Sequence, residues 1–228
     1  MVYPYYRDGK FFLNMGDNCL SECVYHKIKD KIFTLEFKPG QVLQERALAE
    51  MFNTSRNPVK RALLKLENEG WILINSRKNL VVRDVTARDV IEIYQARKLL
   101  EETALEEIFR KDLNWDISFR LEETLLKMRK HWESYLEYIR LDEEFHGIIV
   151  SALDNGRIDK FYRTIREEFI RLGMIAREKD NFQQKILDGH MGIILPIREK
   201  NRKEAKKQLH YHLEQVEERV LVYIEAIK

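Results

Sequence analysis

The chain has 228 residues, 44% of them hydrophobic and 34% charged, and its formal net charge is only +2. That length holds two modest domains or one large one, and the small net charge excludes a polycation, so any nucleic-acid footprint has to be local. No apolar run is long enough to span a bilayer, and the opening "MVYPYYRDGKFFLNMGDN" lacks the basic region and apolar core of a secretory leader. A cytoplasmic protein without a membrane partner is expected. Cys19 and Cys23 stand four residues apart, which is not the C-x-x-C of a redox or zinc hairpin, and they read as free thiols.

Residues 1–18 form an aromatic N-terminal extension, expected to pack on its own domain or on a partner subunit. Residues 19–85 follow as a first domain. In "LSECVYHKIKDKIFT", Leu20, Val24, Ile28 and Ile32 recur every four residues, the mark of an amphipathic helix. "KPG" breaks it at residues 38–40. A second short helix, "ERALAEMF", gathers Leu48, Ala49 and Phe52 on one side. "NTSRNPVKRALLKLENEG" then offers Thr54 or Ser55 as a cap, Pro58 in the first turn, Val59, Leu63 and Leu66 facing inward, and Gly70 as the stop. "WILINSRKNLVVRDV" pairs two β-rich runs around a polar tip. Three helices and a β-hairpin describe a winged helix-turn-helix. Its third helix exposes Arg56, Asn57, Lys60 and Arg61 beside amide donors, which suits phosphates and base edges. Lys27, Lys29, Lys31, Arg46, Arg77 and Lys78 add local positive charge.

Residues 86–228 are helical in pattern almost throughout, with few glycines, and read as an all-α bundle. The predicted fold is therefore mainly α: an N-terminal winged helix-turn-helix plus a C-terminal helical bundle. Within the bundle, four ionisable residues interrupt apolar stripes. Asp142 and His146 share a helix face with Ile149, Val150 and Leu153. His190 shares one with Ile186, Leu187, Ile193, Ile194 and Ile197. His212 shares one with Ala205, Leu209 and Val216, whereas His210 lines up with Lys206, Lys207 and Glu214 and should point outward.

Spacing connects these residues. The last two helices should turn near Asn201, which lies eleven residues after His190 and eleven before His212. Equal arms of an antiparallel hairpin bring both rings to one height, about 16 Å from the turn at 1.5 Å per residue. With Asp142 and His146 from a third helix, one carboxylate and three imidazoles make a ligand set for a divalent metal, with zinc first and nickel or manganese also fitting. The bland reading keeps Asp142 and His146 as a buried pair and the other two as hydrogen-bonded core histidines.

The segment "PGQVLQERALAEMFNTSRNPVKRALLKLENEGWILINSRKNLVV" resembles the DNA-binding domain of the GntR family of bacterial transcription regulators. Pro39, Gly40, Leu43, Glu45, Leu48, Ala49, Ser55, Arg56, Pro58, Val59, Ala62, Leu63, Leu66, Glu69 and Gly70 match the family pattern. The resemblance implies operator DNA as partner, with Arg46, Arg56 and Lys60 at contact positions. Ser55 and Asn57 complete the helix end, and Arg77, Lys78 and Asn79 belong to the wing. Asn79 stands where relatives carry glycine, and asparagine tolerates a positive φ.

The helical region is similar to the ligand-binding domain of the FadR-like branch. There D-x-x-x-H, H and a second H about 22 residues later correspond to Asp142, His146, His190 and His212. "NGRI" at residues 155–158 resembles its N-x-R-L turn, and "ARKLLEETAL" places Arg97 and Glu101 in its R-x-x-L-E helix. This resemblance implies a homodimer and a metal that anchors a small carboxylate effector, with Arg97 as the residue that meets its charge. Pro196 departs from the pattern, where relatives have alanine, and a helix kink after His190 is expected. The competing readings are a metal-dependent hydrolase with an appended DNA-binding domain, a purely structural metal, and a metal that is itself the signal.

Overall fold

The computed structural model describes residues 6–7, 10–11, 17–75, 79–176 and 182–226. It is 77% helical, with nine helices and short strands among the described residues. The chain divides into two compact units, Met1–Asp84 and Val85–Lys228.

The first unit opens with a two-residue β pair, β1 (Tyr6–Arg7) against β2 (Lys10–Phe11). The packing proposed for the rest of the aromatic extension lies outside the described residues. Three helices follow: α1 (Asp17–Phe33), α2 (Glu45–Met51) and α3 (Arg56–Asn68). Their apolar positions meet in one core. Val24, Ile28 and Ile32 of α1, Leu48 and Ala49 of α2, and Val59, Leu63 and Leu66 of α3 are all buried, with Trp71 and Ile72 beneath them. Gly70 ends α3 at φ +78°, a conformation that costs an ordinary side chain and not glycine. The hairpin is β4 (Ile72–Ile74) and β5 (Leu80–Val82). The sequence pattern missed a third strand, β3 (Val42–Leu43), which pairs antiparallel with β5 and gives the order β3-β5-β4. Two residues are too short a run to carry an alternation signal.

The second unit contains α4 (Ala87–Arg110), α5 (Asn114–Lys130), α6 (Tyr135–Ser151), α7 (Gly156–Ile175), α8 (Phe182–Arg198) and α9 (Arg202–Ala226). Thr86 and Asp89 close a capping box at the start of α4: the Thr86 hydroxyl accepts from the Asp89 N–H at 3.2 Å, and the Asp89 carboxylate accepts from the Thr86 N–H at 2.8 Å. Asn155 caps α7 through its side-chain oxygen, which accepts from Arg157 N–H at 3.0 Å. The core runs through the bundle from Ala104 and Ile108 on α4 to Phe145 and Ile149 on α6, Ile193 and Ile194 on α8, and Leu209 and Leu213 on α9.

Pro196 sits inside α8 without ending it, because only two residues of helix remain beyond it. Its neighbours Ile193, Ile194 and Ile197 stay fully buried. The α8–α9 turn falls where the spacing placed it, with Lys200 at φ 58° and the Asn201 side chain accepting from Glu204 N–H at 3.2 Å. No described helix is long and apolar enough to cross a membrane.

Candidate functional site

Helices α6, α8 and α9 each bring one histidine to the centre of the bundle. His146, His190 and His212 offer nitrogens that all lie within 4.8 Å of one another. The equal-arm spacing about Asn201 places the His190 and His212 ring centroids 4.6 Å apart, so Pro196 does not separate them. His190 is locked by stacking on Phe145, centroid to centroid 3.9 Å at 17°. His146 and His212 stack at 5.3 Å and 21°. Burial and Arg97, joined at His190 and His212 by neighbouring imidazoles, hold all three well below the usual histidine range, so the rings are neutral and each carries one lone pair.

The bland reading of the sequence paired His146 with Asp142; the structure pairs it with Glu101. His146 Nδ1 lies 2.6 Å from Glu101 Oε2. Burial raises the Glu101 carboxyl against the pull of Arg97; as the carboxylate it only accepts, so Nδ1 then carries the hydrogen and the lone pair sits on Nε2. Glu101 Oε1 in turn accepts from Arg97 Nε at 2.9 Å. The relay Arg97–Glu101–His146 is entirely buried and has the form that orients metal-ligating histidines. Burial works against the Arg97 charge, but Glu101 together with Tyr94, Tyr162 and Asp142 outweighs it and holds the guanidinium protonated.

Asp142 stands at the edge of the histidine group, its Oδ1 3.3 Å from His190 Nε2. Burial pushes its carboxyl up to about 7 against the pull of Arg97. That Oδ1 has no hydrogen-bond partner, nor has His190 Nδ1, Tyr94 Oη or Arg97 Nη2. Buried polar atoms are normally satisfied, and orphans gathered at one place call for a missing partner. Two separations at His190 fit a metal by size as well. Ligand atoms about 2.0–2.1 Å from a tetrahedral centre are separated by about 3.3–3.4 Å. His146 Nε2 to His190 Nε2 is 3.3 Å, and His190 Nε2 to Asp142 Oδ1 is also 3.3 Å.

Three further residues bear on the site. His210 lies at the surface, bonded to Glu102 at 3.0 Å and Glu214 at 2.9 Å, as its position on α9 required. Glu143 is ion-paired with Arg166; burial pushes it up to about 7. Arg97 is 2% exposed, with its guanidinium 4.0 Å from the Phe169 ring centroid, so it is a core residue with one unbonded corner at Nη2.

In the first unit, α3 presents Arg56, Asn57, Lys60 and Arg61 to solvent, and α2 presents Arg46 beside Glu50 at 3.0 Å. Ser55 is the N-cap residue of α3 and its hydroxyl makes no capping bond, which leaves it outward. Asn79 is exposed and closes the hairpin, its N–H donating to the Asn75 side chain at 3.0 Å and its carbonyl accepting from Asn75 N–H at 2.9 Å. Arg77 and Lys78 lie outside the described residues. Lys29 corrects the sequence reading. It is 5% exposed, paired with Glu69 at 2.9 Å and with the Tyr25 hydroxyl at 2.7 Å, so it adds nothing to a surface field. Lys31 is likewise paired, with Glu36.

A helix-turn-helix with a basic exposed third helix, joined to a helical bundle with a buried polar centre, defines a DNA-binding regulator with a sensory domain. The comparisons say which. Residues 20–82 match the model described as bacterial regulatory proteins, gntR family, and residues 92–215 match the FCD domain. The chain belongs to the GntR family, in the FadR-like branch with a C-terminal FCD domain. It is a DNA-binding transcription regulator and not an enzyme, which disposes of the hydrolase reading. It is 30% identical to the gluconate operon transcriptional repressor of Bacillus subtilis over 86% of this chain and 83% of that one. It is 29% identical to the HTH-type transcriptional regulator YdhC of the same organism over 82% and 85%. Among solved structures, a GntR-type regulator from Rhodococcus sp. RHA1 superposes with a TM-score of 0.73 at 23% identity, covering 88% of this chain and 97% of that one.

Proposed function

We propose that the helical domain holds a divalent metal on His146, His190, His212 and Asp142, and that this centre takes a small carboxylate effector which changes operator binding. The observation that carries it is the convergence of three buried, neutral histidines with an orphaned carboxylate oxygen. Zinc is the first choice, with nickel or manganese also suited to three nitrogens and one oxygen. With these four protein ligands the metal would take an outside oxygen by expanding to five or six positions, which suits nickel or manganese and is open to zinc at five. Glu101 fixes the tautomer of His146. Arg97 holds Glu101 through Nε and keeps Nη2 for the effector's carboxylate. Both residues lie on α4, which follows the DNA-binding unit in sequence after Val85 and Thr86.

In the other domain, Arg46, Ser55, Arg56, Asn57 and Lys60 are assigned to operator contact, with Arg77, Lys78 and Asn79 from the wing. A homodimer would present two such helices at a fixed half-site spacing, and a small rotation would then break the register.

The test is elemental analysis of protein purified without chelator, beside His212→Ala, followed by operator titration with small carboxylic acids. Near-stoichiometric metal that is absent from the variant, and an operator affinity that responds to one acid, is the expected result. No metal in either protein after reconstitution would overturn the reading. Metal without any response to acids would leave it structural.

A further inference from the structure

Helix α8 carries glycines at 189 and 192, and both face α9. A Cβ built on Gly189 would stand 2.6 Å from His212 Nδ1 and 3.6 Å from its Cγ and Cε1. A Cβ on Gly192 would stand 3.2 Å from Gln208 Oε1. Gln208 and His212 lie four residues apart on α9, so two successive points of that helix face two glycines of its partner. The contacts differ in kind. Gln208 is a half-buried amide at the end of a flexible side chain, whose NH2 bonds Glu204 at 2.6 Å, and it can give way. His212 is 6% exposed and hemmed in by the His146 and His190 rings at 5.3 and 4.6 Å. A carbon at position 189 would overlap a nitrogen that has no free direction in which to retreat except out of the cluster.

We propose that Gly189 is a positioning residue for the metal centre: the missing side chain is the space into which the Nδ1 edge of the His212 imidazole points as the ring reaches the other two histidines. This rests on the metal reading for its consequence, but not for its geometry. Helix formation alone argues against glycine here, since glycine is among the poorest residues in a helix interior. Two glycines three residues apart in α8 therefore need a packing reason, and the approach of α9 supplies one.

The experiment compares Gly189→Ala with Gly192→Ala in the full chain. Both changes improve helix propensity equally, so general effects on α8 cancel. Ring signals of the histidines are recorded by long-range proton–nitrogen NMR on metal-free protein, and zinc or cobalt affinity is then measured by competition with a chelator. Gly189→Ala is expected to move the His212 ring signals and to weaken metal binding by on the order of 10- to 100-fold, the scale of lost ligand orientation. Its cobalt absorption spectrum should change with it. Gly192→Ala should leave the ring signals in place and the affinity within about threefold, well under the tenfold lower bound for lost orientation. Unmoved His212 signals in Gly189→Ala would overturn the inference whether or not the parent binds metal. A parent that binds no metal, with His212 signals that still move in Gly189→Ala, would overturn the metal reading and keep the positioning role.

Discussion

Replacing Glu101 by glutamine keeps the shape of the side chain and removes one buried negative charge. Glu101 is 0% exposed and its partner Arg97 2%, so the change leaves a guanidinium in the core without its counter-ion. Breaking a buried pair in this way costs about 3–5 kcal/mol, because the remaining charge is not solvated. For a helical unit of this size each kcal/mol moves the melting temperature by about 2–4 °C, so a fall on the order of 10 °C is expected. Thermal unfolding followed by circular dichroism, in chelator at neutral pH, measures it. The same variant weakens the hold on His146 Nδ1, and metal affinity should drop about 10- to 100-fold. The double variant Arg97→Met, Glu101→Gln removes both charges and should recover most of the lost stability while metal binding stays weak. A melting temperature for Glu101→Gln within about 2 °C of the parent, less than one kcal/mol on that scale, would refute the reasoning. It would mean that burial keeps Glu101 protonated and that the relay carries no charge pair.

The remaining predictions concern protons, DNA and a helix end. Burial holds the three histidines neutral, and the Asp142 carboxyl is raised to about 7, so Asp142 is the one ligand that must lose a proton to bind metal. Apparent metal affinity should therefore rise about tenfold per pH unit up to about pH 7 and level off above it, and Asp142→Asn should abolish that slope; a slope of two or more would mean that the histidines are charged in the metal-free protein. The sign for stability is the opposite at this residue. The folded state holds the Asp142 proton to about pH 7 while the unfolded chain releases it near its ordinary value, so the contribution of Asp142 to metal-free stability declines as pH rises through that window. Arg56→Ala should weaken operator binding and reduce the salt dependence by roughly one phosphate contact. Lys29→Met should leave the salt slope alone and destabilise the DNA-binding unit by about 1–3 kcal/mol, because Tyr25 and Glu69 lose a buried partner. Thr86→Ala removes the capping box of α4 and should cost about 1 kcal/mol in thermal unfolding.

The local features of this protein were written in the sequence. Helix faces followed from period, as with Val24, Ile28 and Ile32, all buried at 0% exposure. The α8–α9 hairpin followed from a turn at Asn201, and equal arms were enough to bring His190 and His212 together. These are short-range facts, set by the rise of a helix and the size of its turn. What the sequence left undetermined depends on helices meeting across the bundle. His146 finds Glu101, 45 residues away on α4, and not its helical neighbour Asp142. Side chains four apart on one helix point side by side into the core, while the atom that meets a ring nitrogen head-on comes from the helix opposite. Lys29 looked like surface charge because a lysine usually is; Glu69 and Trp71, far along the chain, joined Tyr25 one helical turn away in making its buried position tolerable. Gly189 carried no periodic signal at all, because its contribution is an absence of atoms, and only the approach of His212 from α9 gives that absence a meaning. The sequence determined which residues face inward and at what height, and the tertiary structure alone decided which of them touch.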